Sequence, residues 1–281
     1  MPVPPKGVNF AHAPRPGADL PTLARVTAPM PLPRILAALT VEPGRPRLTW
    51  YDADERVELS GHVLDNWVTK TANLLVEEYQ AGPGTCLLLD LPVHWRAVVW
   101  AMAAWRVGAC VVLPGEADAG CDLVVSDRPE RHPGTELVAV ALPALARRFP
   151  GTLPPGAVDA AGAVMTYGDV LTWIPEPDPK APALVAGGRV VAHHGLLAWA
   201  GATPGAVERN DDAASPRVLI EPADPHAPVA DVLGRILTVF AADGSVVVCS
   251  AAHAAALAAD PERRDRLIAS ELVNVTGPAA A

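Results

Sequence analysis

A chain of 281 residues, half of them hydrophobic, is long enough to bury a large core as one big domain or two modest ones. Its 31 acidic and 22 basic residues leave a net charge of −9, and no basic stripe interrupts that excess, which excludes the electrostatic footprint of a nucleic-acid binder. No apolar run reaches the roughly 18 residues of a membrane span, and the N-terminus lacks the charged-then-apolar pattern of a secretory signal, so a cytoplasmic protein without membrane attachment is expected.

Residues 1–33 hold nine prolines, and proline removes backbone donors and blocks helix and sheet interiors. The first 29 residues therefore read as an extended arm, with Met30 an alternative start of the natural chain. Ordered pattern begins near residue 30. "RLTWY" (47–51) and "RVELS" (56–60) flank the turn "DADE" and predict a hairpin. Ser60 is a natural N-cap for a helix to about residue 80, with Leu64, Trp67, Val68, Thr71, Leu74 and Leu75 on one face and Gly82-Pro83 as the stop.

Next come the strand "CLLLDL", the helix "VHWRAVVWAMAAWRVG", and the strands "ACVVLP", "DLVVS" and "ELVAVAL". Apolar strands without polar alternation, separated by helices, predict a parallel sheet covered on both faces. Trp95, Val99, Met102 and Trp105 form one stripe on the second helix and are expected in the core. Residues 150–182 are rich in proline and glycine and read as a boundary. The alternation then resumes with "PALVAG", "RVVAH", a helix from about 194, "RVLIE", a helix from about 228, "SVVVCS", a helix around "PERRDRLIASE" and the strand "LVNVT". The expected organisation is an arm (1–29), a first α/β subdomain (30–180) and a partial second one (181–281).

Cys86, Cys110, Cys121 and Cys249 show no zinc spacing and no C-x-x-C, and are expected to be reduced core thiols. No metal site is expected. No G-x-S-x-G elbow is present, and Ser245 begins an apolar strand, which argues against a serine hydrolase. His193 and His194 are adjacent, so on a helix their side chains diverge by about 100° and do not share an ion. A capping or packing role is expected for His193.

The order of segments resembles the front part of the adenylate-forming superfamily of acyl-CoA synthetases, adenylation domains and luciferases. "LTWYDADERVELSGHVLDNWVTKTANLL", "GPGTCLLLDLPVHWRAVVWAMAAWRVGACVVLP" and "DGSVVVCS…DPERRDRLIASELVNVTGP" are similar to consecutive segments of those enzymes, over residues 30–278. The likeness is greatest to a short actinobacterial-type group that matches only this part. It implies an α/β fold, a truncated form of that superfamily's N-terminal domain, with a parallel-rich sheet flanked by helices and a partial second α/β layer.

Those enzymes carry a phosphate loop resembling "YTSGTTG-PKGV-V-TH-NLL", an anion nest of small residues, hydroxyls and a lysine. Here "PALV" runs directly into "AGGRVVAHHGLL". The resemblance places Gly188 on the loop's last glycine and His193 on its histidine, while the Ser/Thr/Gly run and the lysine have no counterpart. Gly187, Gly188, Arg189 and His193 are the remnant that would meet ATP or AMP, and His226 falls where the superfamily lines its acyl pocket. The later magnesium, ribose and lysine motifs of the superfamily are not found. No catalytic residues and no bound cofactor are expected.

The resemblance therefore implies a degenerate, non-catalytic module that binds a small acyl or nucleotide-like ligand, a protein partner or a second copy of itself. The alternatives are the front half of a split acyl-activating ligase completed by another chain, and a divergent acyl-CoA synthetase.

Overall fold

The computed structural model describes residues 32–115, 120–171, 173, 175, 178–207, 215–222 and 228–276. In chain order its elements are α1 (Leu32–Leu39), β1 (Pro46–Tyr51), β2 (Arg56–Ser60), α2 (Gly61–Tyr79), β3 (Cys86–Asp90), α3 (Trp95–Val107), β4 (Cys110–Val112), β5 (Leu123–Ser126), β6 (Leu137–Ala139) and β7 (Val158–Asp159). They continue as α4 (Ala160–Ala163), β8 (Pro182–Ala186), β9 (Arg189–Ala192), α5 (Leu196–Gly201), β10 (Arg217–Ile220), α6 (Val229–Ala241), β11 (Ser245–Cys249), α7 (Ala251–Ala259), α8 (Pro261–Ser270) and β12 (Val275–Thr276).

The strands form two sheets. One has the order β12-β10-β11-β1-β2, the other β7-β6-β5-β3-β4-β8-β9, and every pairing is parallel except the hairpins β1–β2 and β8–β9. The expected parallel-rich α/β architecture is thus present. The sheets do not follow the division of the sequence at residue 180. β1 and β2 pair with the late strands, and β8 and β9 extend the sheet begun by β3. Parallel neighbours need not be close in sequence, because a crossover already separates them by a dozen residues or more.

Helix α3 explains why the sheets pack together. All of its residues except Arg106 are buried, which is the signature of a helix with no solvent face. It contacts β3 and β4 of the larger sheet and β1 of the smaller, and one hydrophobic core runs through strands of both. Trp95, Val99, Met102 and Trp105 are each 2% exposed, as their spacing predicts. The Trp105 indole N–H donates to the Ala183 carbonyl at 2.8 Å and ties the helix to β8.

The termini of α2 and α3 follow local chemistry. Ser60 accepts from the Val63 N–H, and α2 ends at Gln80 in the left-handed region. His94 caps α3 by accepting from the Arg96 N–H, and Gly108 at φ 87° closes it. Arg47 is wholly buried and clamps three segments. Its Nε donates to the Leu39 carbonyl at the end of α1, and its Nη1 donates to the Asp243 carbonyl and pairs with the Asp243 carboxylate in the turn after α6.

The cysteines divide. Cys110 and Cys249 are buried free thiols, but Cys86 and Cys121 form a disulfide with Cα atoms 4.7 Å apart, which corrects the expectation of four reduced thiols. The pairing of β3 with β5 is the reason: Cys86 opens β3 and Cys121 lies two residues before β5, so the ladder brings the two residues side by side.

Candidate functional site

The phosphate-loop remnant is a closed hairpin turn. β8 and β9 pair antiparallel up to Ala186 and Arg189, leaving only Gly187 and Gly188 between them. Both have positive φ, 58° and 68°, the arrangement of a type I′ turn, whose twist matches that of the flanking strands. The tip projects outward. Gly187, Gly188 and Arg189 are exposed, Val190 is 67% exposed, and a Cβ at either glycine would meet nothing within 4 Å.

His193 lies beyond the far end of β9, five positions or roughly 16 Å of extended chain from Gly188. It opens a 3-10 turn, and its N–H donates to the Ala181 carbonyl at the base of the hairpin. Burial lowers its pKa, opposed by its interaction with the Gly108 carbonyl, and its Nε2 has no hydrogen-bond partner among the described residues. The four residues named from the sequence therefore occupy the two ends of one strand and do not converge. His226 lies outside the described residues.

A different constellation stands at the point where the larger sheet reverses. From β3 the chain crosses by α3 to β4 on one side, then returns to place β5 on the other side. Open α/β sheets hold ligands outside the carboxyl ends of the strands at such a reversal. Here Asp90 ends β3 and Ser126 ends β5, as register partners. The Asp90 carboxylate accepts from Ser126 Oγ at 3.0 Å, Arg128 Nη2 at 2.6 Å and His132 Nε2 at 2.9 Å. Burial pushes its pKa up, but the three donors and the Arg128 charge outweigh it and hold the group below the usual carboxylate range.

The geometry is that of a fastener. Ser126 donates to the carboxylate and not to the histidine, so the three side chains are not ordered as a nucleophile–histidine–acid relay. What the cluster does is bind the segment after β5 to the end of β3. The sequence signal was a charged residue closing the apolar run "CLLLD", which sequence reasoning passed over. Among the described residues no group of three or more His, Cys, Asp or Glu side chains is placed to hold a metal ion, and no helix is long and apolar enough to cross a membrane.

No family model matches the chain. It is 34% identical over 151 residues to a TIGR03089 family protein of Mycobacterium tuberculosis, a match covering 50% of this chain and 60% of that protein. Among solved structures it is similar to a fatty acyl-adenylate ligase from Legionella pneumophila in complex with acyl adenylate and pyrophosphate, with 12% identity and a TM-score of 0.59, covering 88% of this chain and 44% of that one. An amide bond synthetase from Marinactinospora thermotolerans gives 17% identity, a TM-score of 0.58 and coverages of 88% and 48%. The adenylation–carrier di-domain fusion NpsA-ThdA from Klebsiella oxytoca gives 14%, 0.57, 88% and 42%. The chain spans under half the length of these structures and about three fifths of the mycobacterial relative. Nearly all of it is laid out as in the adenylate-forming ligases, and theirs is the α/β fold it carries.

Proposed function

We propose that this protein is a binding module built on the adenylate-forming fold, one that does not itself adenylate a carboxylic acid. The observation that carries the reading is the turn at Gly187-Gly188. The resemblance puts a triphosphate-wrapping loop between β8 and β9, and a phosphate nest needs several convergent backbone N–H groups, hydroxyls and a cation. Two residues in a type I′ turn present no such concavity, and the adjoining cation, Arg189, is on the exposed tip. Transition-state stabilisation of adenylation depends on positioning and neutralising the triphosphate, so a scaffold without that cradle retains the fold and forfeits the chemistry.

On this reading the module serves by holding a ligand or a partner. Titration calorimetry of the purified chain with ATP and magnesium, beside a pyrophosphate-release assay over a panel of carboxylic acids, tests it. No saturable heat and no release are expected. Pyrophosphate release by the chain alone, or release that appears on adding a copurifying protein, overturns the reading in favour of a divergent or a split ligase.

A further inference from the structure

We propose that the groove beside Arg96 and Trp67 is a binding site for a planar aromatic anion. It has a volume of about 450 Å³, within the range of small-ligand sites, and its lining includes Trp67, Arg96, Leu145, Arg147, Gly162 and Met165. It lies between α2, the start of α3, the segment after β6 and α4, away from the β8–β9 turn.

The charge is built in. Arg96 is only 7% exposed, yet no carboxylate stands within ion-pair distance of it among the described residues. Its Nε donates to the Leu142 carbonyl at 3.4 Å, and its Nη2 to the Pro143 and Ala144 carbonyls at 3.3 and 3.5 Å. The acid that most influences it, Glu55, spends one carboxylate oxygen on the Ala144 N–H at 2.8 Å. A buried guanidinium satisfied only by neutral carbonyls gains from an anion, because the planar fork pairs best with a delocalised oxyanion. Arg147 adds a second cation on the exposed part of the lining and enters no ion pair among the described residues.

The rest of the lining selects an aromatic body. The half-buried Trp67 ring is held edge-to-face by Trp95, with centroids 5.3 Å apart at 70°, and the Arg96 guanidinium sits 4.3 Å from the Trp95 centroid and 5.4 Å from that of Trp67. This stacking fixes the rotamers of the wall before any ligand arrives. Leu145 and Met165 are 92% and 58% exposed, an apolar surface open to solvent, and a methionine thioether adds favourable contacts to an aromatic ring.

Titration calorimetry with 2-naphthalenesulfonate and its uncharged isostere 2-naphthalenesulfonamide is the test, on the whole chain. Saturable binding of the sulfonate is expected, with the sulfonamide weaker by about tenfold or more, the order of one well-placed charge contact. Substituting Arg96 itself also removes three backbone contacts, so the blocking variant is Gly162→Phe. A Cβ at Gly162 meets nothing within 4 Å, and the ring would fill the groove while leaving the core untouched. That variant should melt like the parent and lose sulfonate affinity by about tenfold or more. Absence of saturable binding, equal affinity for the two probes, or unchanged affinity in a folded Gly162→Phe variant would each overturn the proposal. Because no step involves ATP or the β8–β9 turn, this site and the proposed lack of adenylation stand or fall separately.

Discussion

Replacing both turn glycines by alanine, Gly187→Ala with Gly188→Ala, separates turn chemistry from ligand binding. Neither Cβ meets a neighbour within 4 Å, so the cost is confined to the backbone. Holding an L-residue at the observed φ of 58° or 68° costs about 1–2 kcal/mol. Loss of glycine's freedom in the unfolded chain returns about 0.4–1 kcal/mol at each position. The net is roughly 0.5–1 kcal/mol per residue, or about 1–2 kcal/mol for the pair. A chain of this size should then melt about 2–8 °C lower. Gly187→Asn alone should be close to neutral, since asparagine tolerates this conformation and Asn-Gly is a preferred type I′ pair. Urea denaturation gives the free energies, and ATP calorimetry on the same samples gives the binding. If the double alanine variant keeps its stability but loses a nucleotide interaction that the parent shows, the glycines serve a phosphate and the reasoning fails.

The remaining predictions concern the framework. Arg47→Met strips donors from the Leu39 and Asp243 carbonyls and should destabilise by about 1–3 kcal/mol in urea, the cost of leaving buried acceptors unpaired, while the Asp243 carboxylate, 51% exposed, rehydrates. Asp90 has its folded pKa depressed, so its stabilising contribution is complete above the ordinary carboxylate pKa and is lost as pH falls through the folded value. Asp90→Asn should therefore lower stability at neutral pH and flatten the acid limb of the stability–pH curve. A parallel displacement of that limb would contradict the assignment. The Cys86–Cys121 bridge closes 35 residues, for which loop entropy alone gives about 3–4 kcal/mol. Alkylation of the unfolded, unreduced protein should label Cys110 and Cys249, with Cys86 and Cys121 labelled only after reduction. Labelling of all four without reductant would show the bridge to be unformed.

Much of the element order is legible because local chemistry and periodicity agree. Ser60, Leu64, Val68 and the stop at 82–83 identify α2 without reference to anything distant, and the continuous apolar run of α3 announces burial. Helix α7 has alanines on every side and no apolar stripe, so periodicity was silent there, although Ser250 supplied a cap. The 150–182 stretch reads as a boundary from its proline and glycine content, and the elements it holds, β7 and α4, are short, two and four residues. The double glycine was legible as a turn; its closed form depended on the register of β8 against β9.

From the residues alone follow the α/β class, the buried faces and the absence of a phosphate-loop sequence, since each depends on neighbours within a turn or a strand. Which strands share a sheet, the meeting of Cys86 with Cys121, the fastening of Asp90 by Ser126, Arg128 and His132, and the groove at Arg96 were decided by tertiary structure. Those features join residues tens of positions apart, through parallel pairing and helix packing that leave no periodic trace in the chain.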